Sequence, residues 1–387
     1  MNPLEIKIID AVSSLSTDDW DRLVPESCPF LEYGFLTSLE KSGCLDPSSG
    51  WVPQIICAYD GEDLVGAIPF YLKAHSAGEF VFDWSWADAA HRAGISYYPK
   101  GVAAVPFTPV TGARILTDPA HEHSEDIARS LIESALRIAD DNELSSVHFN
   151  FIPGSTRHLF EEIGLPIRLG IQYHWQNHDG TEEGQPYKDF DQFLSRFRSK
   201  KRANIRRERR KLTEAGATTV IRQAEELTED DMRRVFHYYQ DTVNKYYYGQ
   251  LYLNEEFFLR ILTELPHRLH VVFAQQAGKD FGAAFNLVSE NRLYGRYWGC
   301  EEDVRYAHFE TCIYRPVEWC IENDIRAFEP GAGGDHKYER GFEPTLTYSA
   351  HYLRHPALRR GITDFIERER NGITEKLAQM REESPIG

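Results

Sequence analysis

Two stretches of the chain repeat one another without a gap: Ala58-Tyr-Asp-Gly-Glu-Asp-Leu-Val-Gly66-Ala67 and Ala274-Gln-Gln-Ala-Gly-Lys-Asp-Phe-Gly282-Ala283. Each reads as a strand, a tight polar turn and a second strand. An aromatic segment follows each hairpin at a similar distance, Phe80–Trp86 in the first half and Leu293–Trp298 in the second, and its composition predicts a further strand. A chain of 387 residues is long enough for two domains. Strand, turn, strand, aromatic strand and helix, met twice, predict two copies of one α/β unit.

The contents suit a packed protein rather than a disordered one, with 42% apolar and 13% aromatic residues. Cys28, Cys44, Cys57, Cys300, Cys312 and Cys320 show no paired short spacing and sit among apolar neighbours, which predicts reduced, buried thiols. The first residues lack a basic segment followed by an apolar core, and no apolar run approaches the roughly 18 residues of a membrane span. These features predict a soluble, cytoplasmic protein.

Charge is spread unevenly. The net charge is −17, yet Arg196–Lys211 carries ten basic residues and one acid, Glu208, so the remainder stands at about −26. So acidic a chain repels nucleic acid in general, and the basic segment must act locally. A solvated face, a polyanion site and an anionic membrane surface are its three readings. Contact with a polyanion through Lys200, Lys201, Arg202, Arg206 and Arg207 is favoured, because +9 in so short a run exceeds what solubility requires.

The remaining elements follow from capping and periodicity. Thr17 is expected to cap a short helix, Ser124 a helix with Ile127, Leu131, Ile132 and Ala135 on one face, Thr228 and Asn254 two more. Phe190–Ala215 reads as one long helix, ended by Gly216, with Phe190, Phe193, Leu194, Phe197 and Leu212 in line. The polar stretch Asp179–Gln185 is the best domain boundary. A helix is predicted from about Ala307 to Asn323, kinked or delayed by Pro316.

Beyond that helix lies Glu329-Pro-Gly-Ala-Gly-Gly-Asp-His-Lys337, with three glycines in four positions. Such a loop lets backbone N–H groups converge on an anion or a developing oxyanion. Asp335, His336, Lys337 and Arg340 follow, and His308 and Glu310 precede it on the helix. The bland alternative is a flexible loop with solvated charges. In the first half, His75, Glu79, Asp83 and Asp88 likewise cluster near aromatic residues. Taken singly, each is more often a satisfied hydrogen-bonding group than a catalyst. Taken together, the two sets read as walls of one cleft in which a carboxylate or imidazole accepts an amine proton and loop N–H groups or Lys337 stabilise an acyl-transfer oxyanion. Trp84 and Trp298 would be its apolar walls. Nucleophile-elbow, Walker and zinc-protease motifs are absent, and no metal site is expected.

The segments WVPQ, PFYLKAHSAGEFVFDWSWADA, YYPK, PFTPVTG, QYHWQN, SKKRANIRRERR, LYGRYWGC, HFETCIYRPVEWCIE and FEPGAGGDHKYERGFEP resemble the FemAB-like family of predicted N-acyltransferases, from about Cys28 to His355. The resemblance implies an α/β (α+β) fold of two tandem GNAT-like domains with mixed sheets flanked by helices. One domain would span 1–180 and the other 217–387, with the basic helix at 186–216. It implies transfer of an acyl group from acyl-CoA, or an aminoacyl group from tRNA, to an amine in peptidoglycan-related metabolism, with no permanently bound cofactor. Asp335, His336 or Glu310 would take the amine proton, and Lys337 and Arg340 would hold donor phosphate or the oxyanion. His75, Glu79, Asp83, Asp88 and His308 would face the substrates. The acetyl-CoA signature is met only in part, by Arg296-Tyr-Trp-Gly299-Cys-Glu301, and Glu301 would oppose a pyrophosphate. The alternative is a non-catalytic module that binds RNA or an anionic membrane through the basic helix.

Overall fold

A computed structural model describes residues 4–181, 183–245 and 249–386. The chain divides into two compact units, Met1–Ile171 with Leu346–Lys376, and Gln172–Thr345 with Leu377–Gly387. The polar stretch Asp179–Gln185 lies inside the second unit, and the division falls within the strands Ile167–Gln176 and Glu343–Leu353.

The repeat found in the sequence is a repeat of structure at its hairpins. Ile55–Asp60 pairs antiparallel with Asp63–Ile68, and Leu269–Gln276 with Lys279–Val288. Both hairpins slip register at the same aligned residue: Ala58 faces Gly66 and Ala274 faces Gly282, with a bulge immediately after each alanine. A third antiparallel strand follows in each unit, Leu116–Thr117 against Gly66 and Ala67, and Arg292–Cys300 against Gly282–Val288. Next comes a helix, then a strand parallel to an earlier one: Ser146–Ile152 beside Lys100–Ala103, and Ala327–Glu329 beside Arg292–Cys300. Each parallel strand leaves its sheet through a Pro-Gly pair, Pro153-Gly154 and Pro330-Gly331.

In the first unit the strands Asp63–Ile68 and Phe70–Lys73 are separated at Pro69, which has no N–H to give a ladder. Ser124–Asp141 lays Ile127, Leu131, Ile132 and Ala135 on the core. A Cβ on Gly66 would stand 2.8 Å from Ile127 and 2.9 Å from Leu131, so glycine lets the helix pack this close without those side chains shifting. The second unit has the strand order Ala217–Gln223, Leu269–Gln276, Lys279–Val288, Arg292–Cys300, Ala327–Glu329 and then the end of Ile167–Gln176. Its core gathers Trp175, Phe193, Phe197, Leu293, Ile313, Val317 and Phe328.

Several local expectations change. Phe80–Trp86 is not a strand: Phe80 and Phe82 stand at φ 60° and 53°, and a helix spans Trp84–Arg92. The ionic contacts of Glu79 and Asp83 with Lys100 fix this stretch and override its β propensity. The third strand of the first unit is Leu116–Thr117 instead. Phe190–Ala215 is two helices, Phe190–Ser195 and Ser199–Glu214, because Phe197 turns aside to bridge Ile386. Ser16 rather than Thr17 caps the short helix, its oxygen accepting from the Asp19 N–H. Ser124 is the first residue of its helix and makes no cap bond, whereas Thr228 and Asn254 accept as expected from Asp231 and Phe257. The kink expected at Pro316 is a π-helical turn, Glu310–Tyr314, between Ala307–Phe309 and Arg315–Glu322. Pro316 opens the last piece, where its missing N–H costs nothing.

Candidate functional site

In the second unit, the strand Arg292–Cys300 and the parallel strand Ala327–Glu329 stand side by side, and beyond their ends opens a cavity of about 280 Å³. The strand supplies Gly295, Arg296 and Trp298, the helix start His308, and the glycine loop with the short helix Asp335–Tyr338 supplies His336 and Lys337. Gly331 and Gly334 both stand at φ 88°, outside the reach of ordinary residues. A Cβ on Gly334 would lie 2.7 Å from the His336 ring, so glycine here lets the imidazole fold back over the loop. Lys337 Nζ ties the turn together by donating to the carbonyls of Gly331 at 2.8 Å and Ala332 at 3.2 Å.

This placement displaces three pKa values. Burial, helped by Arg296, pulls Lys337 down to about 8. Burial and the neighbouring His336, Lys337 and Arg340 pull His308 down to about 4. His336 is lowered for the same reasons, with burial first and then Lys337. The two rings lie 5.5 Å apart, and His308 is 5.7 Å from Trp298. The cavity therefore holds two neutral imidazoles beside a cation that is readily deprotonated.

The other residues expected here have other work. Arg340 donates from Nε to the Tyr314 hydroxyl at 2.8 Å, from Nη1 to the His336 carbonyl at 3.1 Å and from Nη2 to Glu208 at 3.1 Å, with Phe309 beneath it at 3.5 Å. It positions the loop, with four of its five N–H donors held by these partners. Glu310 faces Arg209, at 3.0 Å from Nε and 2.8 Å from Nη2, and does not line the cavity. Asp335 accepts from the Tyr173 hydroxyl at 3.0 Å. Arg296, from the partial acetyl-CoA signature, lines the cavity, as do Cys312 and Asn286, which the sequence did not point to as site residues. The partial acetyl-CoA signature is strand rather than loop. Gly299 is glycine because the Tyr238 backbone lies against it.

Most of the basic helix is spent internally. Lys201 pairs with Glu339 at 2.9 Å, Arg206 with Asp191 at 2.8 Å, and Arg209 with Glu310 and Glu318. Arg202 Nη1 donates to the carbonyls of Ser195 and Phe197. Arg210 and Lys211 share Glu214. Of the five residues expected to meet a polyanion, Lys200, Arg202 and Arg207 have no ion-pair partner among the described residues, and of these Arg202 is held by backbone carbonyls.

The acidic residues of the first unit form a buried network instead of a pocket wall. Lys100 Nζ donates to Asp83 at 2.5 Å, Ser76 at 2.8 Å and Glu79 at 3.0 Å, and the Tyr97 hydroxyl donates to Asp83 at 2.6 Å. Two carboxylates share one buried ammonium, and the proton goes to one of them. Against the cost of burial, Lys100 and His148 hold the Asp83 carboxyl well below its usual range. Burial and the charge of Asp83 push Glu79 up to about 7 in spite of Lys100. Lys73, opposite Lys100 in the ladder, is drawn down to about 7 by burial and by Lys100. Behind Asp83, the Nδ1 atoms of His148 and His351 meet at 2.7 Å. His75 stacks over Gly50 and accepts from the Ala77 N–H, Asp88 is exposed, and Trp84 is 49% exposed. Only Glu79 and Asp83 of that set come together. Lys100, Lys73, Tyr97, His148 and His351 were missed. The one signal was two lysines at facing strand positions with three acids, Glu79, Asp83 and Asp88, between them in sequence.

No curated protein matches the sequence. Among solved structures, the chain is similar to FemX, with 10% identity, a TM-score of 0.54, and coverage of 93% of this chain and 100% of that one. It is also similar to the C-terminal domain of a putative lysylphosphatidylglycerol synthetase from Agrobacterium fabrum, with 10% identity, a TM-score of 0.53, and coverage of 90% and 95%. A tandem GNAT protein from the clavulanic acid biosynthesis pathway aligns over 92% of this chain and 99% of its own, with 12% identity and a TM-score of 0.45. At these identities the likeness is one of fold. A family profile described as peptidoglycan biosynthesis/recognition matches residues 11–387. The chain therefore belongs to the FemAB-like family.

Proposed function

We propose that the protein is an acyl- or aminoacyltransferase that forms an amide on an amine acceptor in peptidoglycan-related metabolism, and that the cavity of the second unit is the transfer site. The observation that carries this is that His336 and Lys337 line one cavity on a glycine loop, with burial and the lysine lowering the His336 pKa. The amine nitrogen attacks the donor carbonyl carbon, and His336 takes the proton it loses. The oxygen becomes an oxyanion, which the Lys337 ammonium stabilises. Collapse of the tetrahedral intermediate expels the donor's thiolate or alkoxide and leaves the amide. Trp298 and His308 wall the acceptor, and Arg340 holds the loop through the His336 carbonyl.

The donor is acyl-CoA or aminoacyl-tRNA, both soluble species of the cytoplasm, and its phosphates meet the free cations Lys200 and Arg207. No helix among the described residues is long and apolar enough to cross a membrane. Internal pairing of the basic helix disfavours the alternative of a non-catalytic RNA-binding module, because the few cations left can assist a donor held in the cavity but do not make an RNA site by themselves.

The test is incubation of the protein with acyl-CoAs and charged tRNAs in the presence of amine acceptors such as muropeptides, with mass spectrometry of the amide. A donor that binds also raises the melting temperature. Amide formation lost in His336→Gln supports the reading. Wild-type rates after replacing His336 and Asp335 together, or no amide from either donor class, overturn it.

A further inference from the structure

The first unit carries a trough that neither the transfer reading nor the buried network uses. It runs between the helix Trp84–Arg92 and the tail helix Pro356–Glu382 and encloses about 460 Å³, within the range of small-molecule pockets. Trp86, Ile95, Leu358, Ile362 and Phe365 line it. Ala89 and Ala93 on one helix, and Ala357 and Gly361 on the other, lie one turn apart and keep the walls low. A second cavity of about 490 Å³ shares Ile95 and Leu358 with it and adds Arg354 and His355.

Arginines stand among the residues that line this apolar trough and its neighbour. Arg92 makes no ion pair or hydrogen bond to another side chain among the described residues, and Arg368 donates only from Nε, to the Asp364 carbonyl at 3.1 Å. Arg354 has one loose partner, Glu143 at 3.8 Å. Water in an apolar trough finds few hydrogen-bond partners and is readily displaced by hydrocarbon. Unspent guanidinium groups at its mouth favour an anion, held in a fork. An apolar trough with arginine among its lining residues matches a molecule that joins hydrocarbon to an anion.

We propose that this trough binds a monomeric single-chain anionic amphiphile, a linear hydrocarbon bearing a carboxylate or phosphate. The chain lies along Leu358, Ile362 and Phe365, and the head group meets Arg92 and Arg368. The site is independent of the transfer reading, so either can fail alone.

Dodecyl phosphate below its micelle concentration is the probe, read by calorimetry and by the fluorescence of Trp84 and Trp86. Saturable one-to-one binding is expected. A Cβ on Gly361 meets nothing within 4 Å, so Gly361→Leu folds normally and fills the trough. It weakens binding by about tenfold or more, ~1.4 kcal/mol. Arg92→Ala with Arg368→Ala weakens dodecyl phosphate by a similar factor and leaves a neutral dodecyl glycoside unaffected. The proposal is overturned by lack of saturation, by Gly361→Leu binding as wild type does, or by equal affinity for the neutral glycoside. It is equally overturned if only phosphatidylglycerol vesicles bind, through Phe82 and Trp84, or if sedimentation shows a second copy of the chain closing the trough.

Discussion

Two cavities occupy the same place in the repeat and hold different chemistry. Each lies where the third strand, the first turn of the following helix and the end of the parallel strand converge. In the first unit these are Thr117, Ser124 and Ile152, and in the second Trp298, His308 and Pro330. The volumes are close, about 300 Å³ and about 280 Å³. In the first cavity the polar groups are already committed. Arg114 donates to the carbonyls of Asn150, Gly112, Ala113 and Val110, and Glu125 holds Arg129 at 2.6 Å and lies 3.4 Å from His158. In the second, the imidazoles of His308 and His336 face the cavity with depressed pKa values. The fold supplies the concavity twice, and the side chains spend it once on structure and once on chemistry.

The sharpest way to break that comparison is one kind of substitution in both cavities. Lys337→Met removes the cation at the oxyanion and is expected to lower the transfer rate by roughly 10²–10³-fold. Its stability cost is modest, about 1–2 kcal/mol for the carbonyls of Gly331 and Ala332. Arg114→Met reverses the pattern. It leaves four carbonyls without their shared donor and is expected to cost about 3 kcal/mol or more in urea unfolding. Its folded fraction transfers at the wild-type rate. A turnover defect in folded Arg114→Met would put chemistry in the first cavity and end the distinction.

The histidines sharpen it next. His336→Gln is expected to slow transfer by roughly 10²-fold or more, while His158→Gln, at the equivalent rim, leaves both rate and melting temperature unchanged. Comparison of kcat with KM separates a lost base from a lost contact.

Titration then distinguishes the sealed network from the open cavity. Transfer needs neutral His336 and protonated Lys337. The rate is expected to fall above about pH 8, where Lys337 loses its proton, and Lys337→Arg carries that limb to higher pH. In the first unit the readout is stability. The folded pKa of Glu79, about 7, lies above its ordinary 4.5, so the folded form binds that proton more tightly. The contribution is complete below pH 4.5 and is lost as pH rises to 7. Glu79→Gln is expected to flatten stability across that window, measured by urea unfolding at each pH, without moving the transfer profile.

How far the sequence carried this picture depends on the range of the interactions involved. The paired hairpins were legible because turn and glycine positions act locally, whereas their common bulge after Ala58 and Ala274 was not. The glycine loop was legible for the same reason: φ 88° at Gly331 and Gly334 leaves glycine as the residue that fits. The partners of Arg340 and Glu310 were not legible because they are remote, Glu208 and Arg209 on a helix more than a hundred residues away in sequence. Phe80–Trp86 was misread because Lys100, beyond the local pattern, draws in Glu79 and Asp83 and overrides β propensity. The basic helix shows the same limit, since its charge was visible in sequence and its partners were not.

The smallest expected effect tests the repeat itself. Gly66 and Gly282 are aligned, each facing its alanine at a bulge, yet they lack a side chain for different reasons. A Cβ on Gly66 meets the methyl ends of Ile127 and Leu131 at 2.8 and 2.9 Å, with the Leu116 carbonyl at 3.0 Å. A Cβ on Gly282 meets the Gly299 carbonyl and the Cys300 Cβ, both at 2.8 Å. Methyl ends rotate aside, whereas a carbonyl in a paired strand moves only with its ladder. Gly66→Ala is therefore expected to cost about 1 kcal/mol and Gly282→Ala nearer 3 kcal/mol, the two ends of the overpacking range. Chemical denaturation of both variants measures the gap. Equal costs would mean that the helix Ser124–Asp141 packs against the first hairpin as rigidly as the third strand pairs with the second.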